Sequence, residues 1–171
     1  KHIIDEFERL AIPHHQVHFS FYHNGNELFN LPSAPLRQRI VNVFGKKFNE
    51  KLVPVNEETP ILKLSGYIGK PEFSRKTRGE QFFFTNNRFI KNNYLHKAVC
   101  SAFEGLMSED SHPSYFLFLE IDPSKIDVNI HPTKTEIKFE DERAIHTIIR
   151  TAVKHALGQY NIAPSLDFDT D

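Results

Sequence analysis

The sequence predicts an α+β fold, close to α/β, in which helices cover one face of a mixed sheet. Three observations carry this prediction. Apolar and polar residues alternate along residues 17–22, which is typical of a strand with one buried face. Apolar residues recur at helical spacing along residues 95–106. Asn24-Gly25 stands between two strand-like runs, where a tight hairpin turn is expected.

The first sixty residues are predicted as helix, hairpin and helix, followed by a loop. The apolar spacing of the first segment predicts a helix over residues 1–12. The second helix is expected to start at Pro35 and to end at Gly45. Residues 53–60 contain two prolines and several polar residues, so they are interpreted as a loop.

The remainder is predicted as strands with two longer helices between them. Asn86-Asn87 marks a second hairpin, and Asp141 is the expected N-cap of a last helix that ends at Gly158. Residues 161–171 contain Pro164 and three aspartates without periodicity, as a linker would. The expected strands lie at residues 61–69, 82–85, 88–91, 115–121, 128–130 and 136–139.

Composition excludes several classes of protein. The chain has 171 residues, of which 39% are hydrophobic and 25% charged, as in a soluble globular domain with a tail. Its net charge of −1 gives no overall attraction to nucleic acid or membranes. No apolar run approaches the length of about 18 residues that a membrane helix needs. The single Cys100 fits a reducing cytoplasmic location, and the start inside an amphipathic pattern suggests a piece of a longer protein.

Charge is nevertheless unevenly distributed along the chain. Residues 70–97 hold seven basic against two acidic residues, a balance of +5, and residues 104–127 have the opposite balance of −5. A basic patch of this kind can neutralise phosphates and release their counterions. The alternative is an ordinary solvated loop and hairpin. The candidate DNA-contacting residues are Arg75, Lys76, Arg78, Arg88 and Lys91.

Common catalytic motifs are absent. There is no phosphate-binding Gly-rich loop, no nucleophile elbow and no His-Glu-x-x-His sequence, so no catalytic residue is assigned to the chain. The histidines at positions 14, 15, 18 and 23 could suggest a metal site. No carboxylate or Cys joins them at ligand spacing, so the polar face of a strand is the favoured interpretation and no metal is expected.

The densest signal lies between residues 127 and 137. His131-Pro132 makes a stiff corner, because Pro fixes its own φ and restricts the residue before it. Lys134 follows, and a lysine held by a rigid corner suits a point-charge contact to phosphate. An exposed strand lysine is the alternative that this chemistry leaves open.

These residues resemble a known family. The run Val-Asn-Ile-His-Pro-Thr-Lys-Thr-Glu at 128–136 is similar to the signature of the transducer domain of MutL-type mismatch-repair proteins. Phe-Thr-Asn-Asn-Arg at 84–88 resembles the hairpin of that family. Phe-Leu-Phe-Leu-Glu-Ile-Asp-Pro at 116–123 resembles the strand that leads into its signature. The match extends over residues 61–157 and is looser over residues 1–60.

The resemblance implies a fold like that of ribosomal protein S five domain 2, with a mixed sheet backed by helices. Residues 1–160 would form the transducer domain, and residues 161–171 would begin an acidic interdomain linker. Lys134 would contact the γ-phosphate of ATP. The corner that presents it would comprise Asn129, His131, Pro132 and Thr133.

The resemblance also implies partners. The ATPase motifs of the family are missing, so the chain alone should bind no cofactor, whereas the full-length protein would use ATP and Mg²⁺. Expected partners are its own N-terminal ATPase domain, DNA bound weakly and non-specifically, mismatch-recognition and other repair proteins, and a second copy in a full-length homodimer. Two positions depart from the family pattern. Thr85 stands where the family commonly has Val. Asn92 and Asn93 stand where basic residues are frequent in the family, so the expected DNA contact is left to the five basic residues named above.

Two other functions are compatible with such a fold. A type II topoisomerase ATPase subunit also presents a lysine to ATP, but the phrase at residues 131–134 argues against it. An RNA- or ribosome-binding module would display exposed aromatic residues for base stacking. Here the phenylalanines alternate or cluster as core residues do.

Overall fold

The computed structural model describes residues 2–127 and 135–169, of which residues 162–169 are described by their backbone alone. Strands and helices alternate irregularly along these residues. In chain order the elements are α1 (His2–Ala11), β1 (Phe19–His23), β2 (Asn26–Leu31), α2 (Leu36–Phe44), β3 (Leu52–Glu58), β4 (Lys63–Gly69), β5 (Gln81–Thr85), β6 (Arg88–Ile90), α3 (Asn93–Ala102), β7 (Tyr115–Glu120), β8 (Ile126–Asp127), β9 (Lys138–Phe139) and α4 (Glu142–Asp169).

A five-stranded sheet forms the centre of the fold, in the order β3-β4-β7-β5-β6. Neighbouring strands are antiparallel except β5 and β7, which are parallel and place Phe82 beside Phe116. The mixed sheet expected from the sequence is therefore confirmed. Both expected hairpin turns are also confirmed, because Asn24, Gly25, Asn86 and Asn87 all have positive φ, as tight turns of this type require.

The expectation of a loop at residues 53–60 is wrong. Residues 52–58 form β3, which pairs along its length with β4. Val53 and Val55 are buried, and their alternation with exposed residues is the strand signal that the prolines obscured. Pro54 is tolerated because β3 is an edge strand, where a missing N–H leaves no neighbouring strand unpaired.

Helices cover both faces of the sheet rather than one. One face packs Phe83, Leu117 and Leu119 against α3 and α4 in the larger core. The other face carries Phe82, Phe84 and Phe116, which pack with Ile40 and Val41 of α2. Because consecutive strand residues point to opposite faces, the phenylalanine runs of β5 and β7 supply both cores at once.

The last helix begins as the sequence predicts, because Asp141 accepts a hydrogen bond from the Ala144 N–H at the start of α4. Asn92, which was not predicted as a cap, accepts one from the Leu95 N–H at the start of α3. The predicted end of the last helix is wrong, since α4 continues through Gly158 to Asp169. Residues 161–169, interpreted as the start of a linker, therefore have helical backbone.

Residues 2–31 form a smaller lobe, which we call the N-terminal lobe. Phe7 of α1 packs against Phe19, Phe21 and Phe29 of the β1–β2 hairpin, with ring centroids 5.0–5.9 Å apart. None of these four rings is fully buried. The lobe therefore has an aromatic cluster of its own, separate from the two cores of the central sheet.

A fully buried arginine joins the N-terminal lobe to α2. The guanidinium of Arg39 is 0% exposed and donates hydrogen bonds to backbone carbonyls on both sides of the β1–β2 hairpin. Burial lowers its pKa from the ordinary value. Its acceptors are the carbonyl oxygens of Ala11, His14, His15, Val17, Leu31 and Pro32, at 2.6–3.5 Å.

Candidate functional site

The predicted signature residues Asn129, His131, Pro132, Thr133 and Lys134 lie outside the described residues. The residues on either side of them are described. β8 and β9 pair antiparallel and place Asp127 opposite Lys138. The Glu140 N–H donates to the Lys125 carbonyl at 2.9 Å. The chain therefore leaves and re-enters the described fold at one place.

The residue after Lys134 is bound to the edge of the central sheet. The backbone N–H of Lys91 donates a hydrogen bond of 2.8 Å to the carbonyl oxygen of Thr135. Lys91 directly follows β6, the edge strand of the sheet, and precedes the first turn of α3. Thr135 and the β5–β6 hairpin, which are far apart in sequence, are therefore neighbours.

Asn86 ties the same hairpin to the strand that leads into the signature. Its side-chain amide donates to the Ile121 carbonyl at 2.9 Å, and its side-chain oxygen accepts from the Ile121 N–H at 3.0 Å. Its backbone N–H also donates to the carbonyl of Leu119. Sequence reasoning assigned Asn86 to the turn alone, and nothing in the sequence indicates this pairing with a distant strand.

The five basic residues predicted to contact DNA are all exposed, but they do not form one group. Lys76 forms an ion pair with Asp110, with Nζ 3.4 Å from the carboxylate, so part of its charge is offset by the acidic segment. Arg75 bridges to His112 through two backbone hydrogen bonds of 3.1 and 2.6 Å. Arg88 is the first residue of β6, Lys91 directly follows β6, and Arg78 lines a cleft together with Lys91.

We call this cleft, which has a volume of about 320 Å³, the basic cleft. Arg78, Lys91 and Arg9 of α1 supply its positive charge, and Asn92, Asn93 and His96 add polar groups. None of the described residues that line it is an Asp or Glu. Arg9 was missed by sequence reasoning because its place in the cleft depends on how the N-terminal lobe packs against the sheet.

Contacts on two sides hold Arg9 in place. Its guanidinium lies 4.1 Å from the ring centroid of Phe89, in a cation–π arrangement. It also forms an ion pair of 3.0 Å with Glu6. Glu6 is exposed and does not line the cleft, so this pair orients Arg9 without placing a carboxylate inside.

The buried Tyr115 and the half-buried His96 line the basic cleft, and the half-buried Cys100 lies behind His96. His96 Nδ1 lies 2.9 Å from the Tyr115 hydroxyl, and His96 Nε2 lies 3.4 Å from Cys100 Sγ. Burial, with added repulsion from Arg78 and His112, lowers the pKa of His96. Burial likewise raises the pKa of the Tyr115 hydroxyl and of the Cys100 thiol. At neutral pH the positive charge of the cleft therefore comes from its arginines and its lysine.

On the other side of Arg9 lies a group of carboxylates. Burial is the main cause that raises the pKa of Glu8 from 4.5 to about 7, and repulsion by Asp5 and Glu80 adds to it. The Glu8 side chain thus keeps a proton to higher pH than an exposed glutamate does.

The described residues include no group of three His, Cys, Asp or Glu side chains arranged to hold a metal ion. The histidines near β1 have other partners. His15 Nδ1 is 2.8 Å from the Ala34 carbonyl, and His18 Nε2 is 2.7 Å from the Asn30 side chain. Within the part of the chain that the structure covers, no helix has the length and hydropathy needed to cross a membrane.

Comparison with known proteins assigns the family. The sequence model described as "DNA mismatch repair protein, C-terminal domain" matches residues 40–158. The DNA mismatch repair protein MutL of Flavobacterium psychrophilum is 62% identical over 171 residues, which is 100% of this chain and 28% of that protein. The chain belongs to the MutL family of DNA mismatch repair proteins. This membership favours mismatch repair over the topoisomerase and RNA-binding alternatives.

Solved structures share the fold of this MutL-family chain. The crystal structure of the N-terminal domain of a DNA repair protein has a TM-score of 0.75 and 24% identity, and the match covers 92% of this chain and 53% of that one. The Aquifex aeolicus MutL ATPase domain complexed with ADP has a TM-score of 0.52 and 19% identity, covering 71% of this chain and 42% of that one. At these identities the likeness concerns the fold.

Two facts describe how far the family match extends. The chain spans just over a quarter of the length of the curated MutL relatives that it matches. The matched region begins at residue 40, inside α2, so the N-terminal lobe lies outside it.

Proposed function

We propose that this chain is the non-catalytic transducer lobe of a mismatch-repair ATPase, in which Lys134 contacts the γ-phosphate of ATP held by another domain. The hydrogen bond from Lys91 to Thr135 carries this proposal, because Thr135 directly follows Lys134. Because Thr135 is bound to the edge of the central sheet, the residue before it adjoins a fixed position, which suits a contact made in one nucleotide state. A lysine ammonium is compact and forms strong charge-assisted contacts with phosphate.

ATP and Mg²⁺ would be bound by the full-length protein. ATP would supply the terminal phosphate that distinguishes it from ADP, and the chain would supply one cation toward it. No ATPase motif occurs in this sequence, so the pure chain should not hydrolyse ATP. Turnover by the chain alone, above that of a denatured control, would contradict the non-catalytic role.

The N-terminal lobe is the proposed contact for the protein's own ATPase domain. Its β1–β2 sheet has two strands, and so small a sheet is marginally stable without further packing. The matched family region excludes this lobe, which is consistent with the lobe belonging to a boundary between domains. Its large exposed apolar side chains, which such a contact would cover, are Ile3, Leu10, Val17, Tyr22 and Leu28, at 46–65% exposure.

DNA is the second proposed partner, bound weakly and without sequence preference. The exposed cations Arg75, Arg78, Arg88 and Lys91 support contacts with backbone phosphates, whereas Lys76 contributes less because Asp110 is its partner. Mismatch-recognition and other repair proteins, and a second copy of the full-length protein, are further proposed partners. The proposed location is the cytoplasm.

The DNA contact is tested in the intact protein by the double change Arg88→Glu and Lys91→Glu. Because backbone phosphates are shared by all sequences, binding to every duplex tested should weaken by a similar factor. The matched control is Lys46→Glu with Lys47→Glu, which reverses two exposed lysines outside the basic segment. If both double variants weaken DNA binding equally, the change in net charge is the cause, and the hairpin is not part of the DNA-binding surface.

A further inference from the structure

We infer that the end of α4 is a reversible latch, in which Tyr160 closes against Lys70 and Glu72 of the turn that follows β4. We call these three residues the α4 latch. In its closed state α4 continues past Gly158, and in its open state the helix ends there. The latch therefore sets the direction in which the chain leaves the domain after Tyr160. The inference rests on the proposed transducer function only for the biological meaning of that direction, since residues 161–171 are interpreted there as the start of an interdomain linker.

The packing of α4 changes after Leu157. Up to that residue the helix is held by the larger core, in which Val153, Ala156 and Leu157 are buried. Gly158 and the residue after it are exposed. Tyr160 is only partly buried and packs at the margin of the same core. The core therefore fixes the body of α4, whereas the continuation after Gly158 depends on contacts of its own.

Gly158 weakens the helix at this boundary. Glycine is less favourable inside a helix than every residue except proline, because it loses the most backbone freedom there. A Cβ at position 158 would meet nothing within 4 Å, so no close packing requires a glycine at this place. The helix nevertheless continues through Gly158 to Asp169. Contacts made after Gly158 must therefore stabilise the continued helix.

Tyr160 makes such contacts with two charged side chains. Its hydroxyl donates a hydrogen bond of 2.6 Å to Oε2 of Glu72, and Nζ of Lys70 lies 5.1 Å from the centroid of its ring. The hydrogen bond holds the pKa of Glu72 below its ordinary value and raises the pKa of Tyr160 to about 12. At neutral pH the carboxylate is therefore charged and the phenol neutral, which makes the hydrogen bond charge-assisted.

The turn that carries Lys70 and Glu72 is fixed to the central sheet. The Lys70 N–H donates to the Lys51 carbonyl at 2.7 Å, and the Phe73 N–H donates to the Lys70 carbonyl at 3.0 Å. Pro71, between the two latch residues, is buried. The hydrogen bond of Tyr160 is exposed, so water can replace it when the latch opens. A fixed acceptor and an exposed contact are the conditions for a closure that is specific and reversible.

The test measures hydrogen exchange of the backbone amides at residues 159–163 in the intact protein without nucleotide, so its result does not depend on the contact of Lys134 with ATP. Tyr160→Phe and Glu72→Gln each remove the hydrogen bond and should speed this exchange about three- to tenfold. Gly158→Ala should slow it about threefold, because alanine favours the continued helix. The matched control is Tyr22→Phe, which removes a tyrosine–glutamate hydrogen bond of 2.9 Å in the N-terminal lobe and should leave residues 159–163 unchanged.

The double variant of Tyr160→Phe and Glu72→Gln separates one shared contact from two independent effects. Exchange no faster than in the faster single variant, together with the opposite effect of Gly158→Ala, supports the latch. Three results overturn the inference. They are residues 159–163 that already exchange without protection in the unchanged protein, exchange there that Tyr160→Phe leaves unchanged, and acceleration by Tyr160→Phe that extends equally to residues 145–157, which would indicate a loss of overall stability.

Discussion

The backbone N–H of Lys91 binds the carbonyl oxygen of Thr135 at 2.8 Å, which joins the edge of the central sheet to the end of the signature run. The side chain of Lys91 lines the basic cleft, and Thr135 adjoins the proposed ATP-contacting Lys134. One backbone hydrogen bond thus joins the proposed DNA-contacting Lys91 to the residue that follows Lys134. If each contact biases this junction, the affinities for DNA and for ATP must affect each other reciprocally.

The first prediction concerns Gly158, which lies inside α4 rather than at its end. Gly158→Ala should raise the free energy of unfolding by roughly 0.5–1 kcal/mol, because a Cβ there meets nothing within 4 Å and alanine favours a helix. Urea denaturation measures this change. Gly66→Ala is the contrasting variant, since Gly66 has a φ of 122° and its Cβ would overlap the carbonyl oxygen of Phe116. A loss of stability in Gly158→Ala would instead indicate a helix that ends at this glycine.

The second prediction concerns Thr85, a residue that differs from the common valine of the family hairpin. Thr85 is 1% exposed, and its hydroxyl has no hydrogen-bond partner among the residues that the structure describes. Thr85→Val should therefore stabilise the fold by about 1 kcal/mol. The matched control is Thr59→Val, which removes a hydroxyl bonded to Leu62 and should destabilise by a similar amount. Equal destabilisation by both variants would indicate that the Thr85 hydroxyl has a partner.

The third prediction concerns Arg39, the buried cation that joins the N-terminal lobe to α2. Arg39→Met should lower the free energy of unfolding by about 3 kcal/mol or more, because it leaves several buried carbonyl oxygens without a donor. Arg39→Lys should rescue part of this loss, since its ammonium has fewer donors in a different geometry. The control is Gln38→Met, at an exposed position bonded to Asn42 of the same helix. Equal effects of the two methionine variants would contradict the anchoring role.

The fourth prediction is a pH dependence that arises from Glu8. Its pKa is about 7 in the folded state against an ordinary value of 4.5, so the folded state binds the proton more tightly. The contribution of Glu8 to stability is fully present below pH 4.5 and is lost as the pH rises toward 7. Glu8→Gln should therefore flatten the decline in unfolding free energy over this range. A carboxyl carbon resonance of Glu8 that titrates near 4.5 would contradict the expected environment.

Local features of the fold could be predicted from the sequence because they depend on neighbouring residues. The Asn-Gly and Asn-Asn turns and the cap at Asp141 are of this kind. β3 was missed because Pro54 suggests a loop, and whether an edge strand tolerates proline depends on the neighbours of that strand in the sheet.

The basic cleft could be predicted only in part. Arg78 and Lys91 stood out because they belong to one basic segment. Arg9 is 69 positions before Arg78, and its cation–π contact with Phe89 requires the N-terminal lobe to be docked. Lys76 and Asp110 belong to two segments whose opposite charges are visible in the sequence. The sequence does not show that these segments contact each other.

The central claim is that Lys134 contacts the γ-phosphate of ATP, and steady-state ATP turnover by the intact protein tests it most directly. Lys134→Ala should reduce turnover while ADP affinity and thermal unfolding remain nearly unchanged, because ADP lacks the phosphate in question. Lys134→Arg should rescue only partly, since a planar guanidinium does not replace a compact ammonium in a close-fitting site. Turnover equal to that of the unchanged protein, with an undiminished gain in stability from a non-hydrolysable ATP analogue, would contradict the account and make Lys134 an ordinary surface lysine.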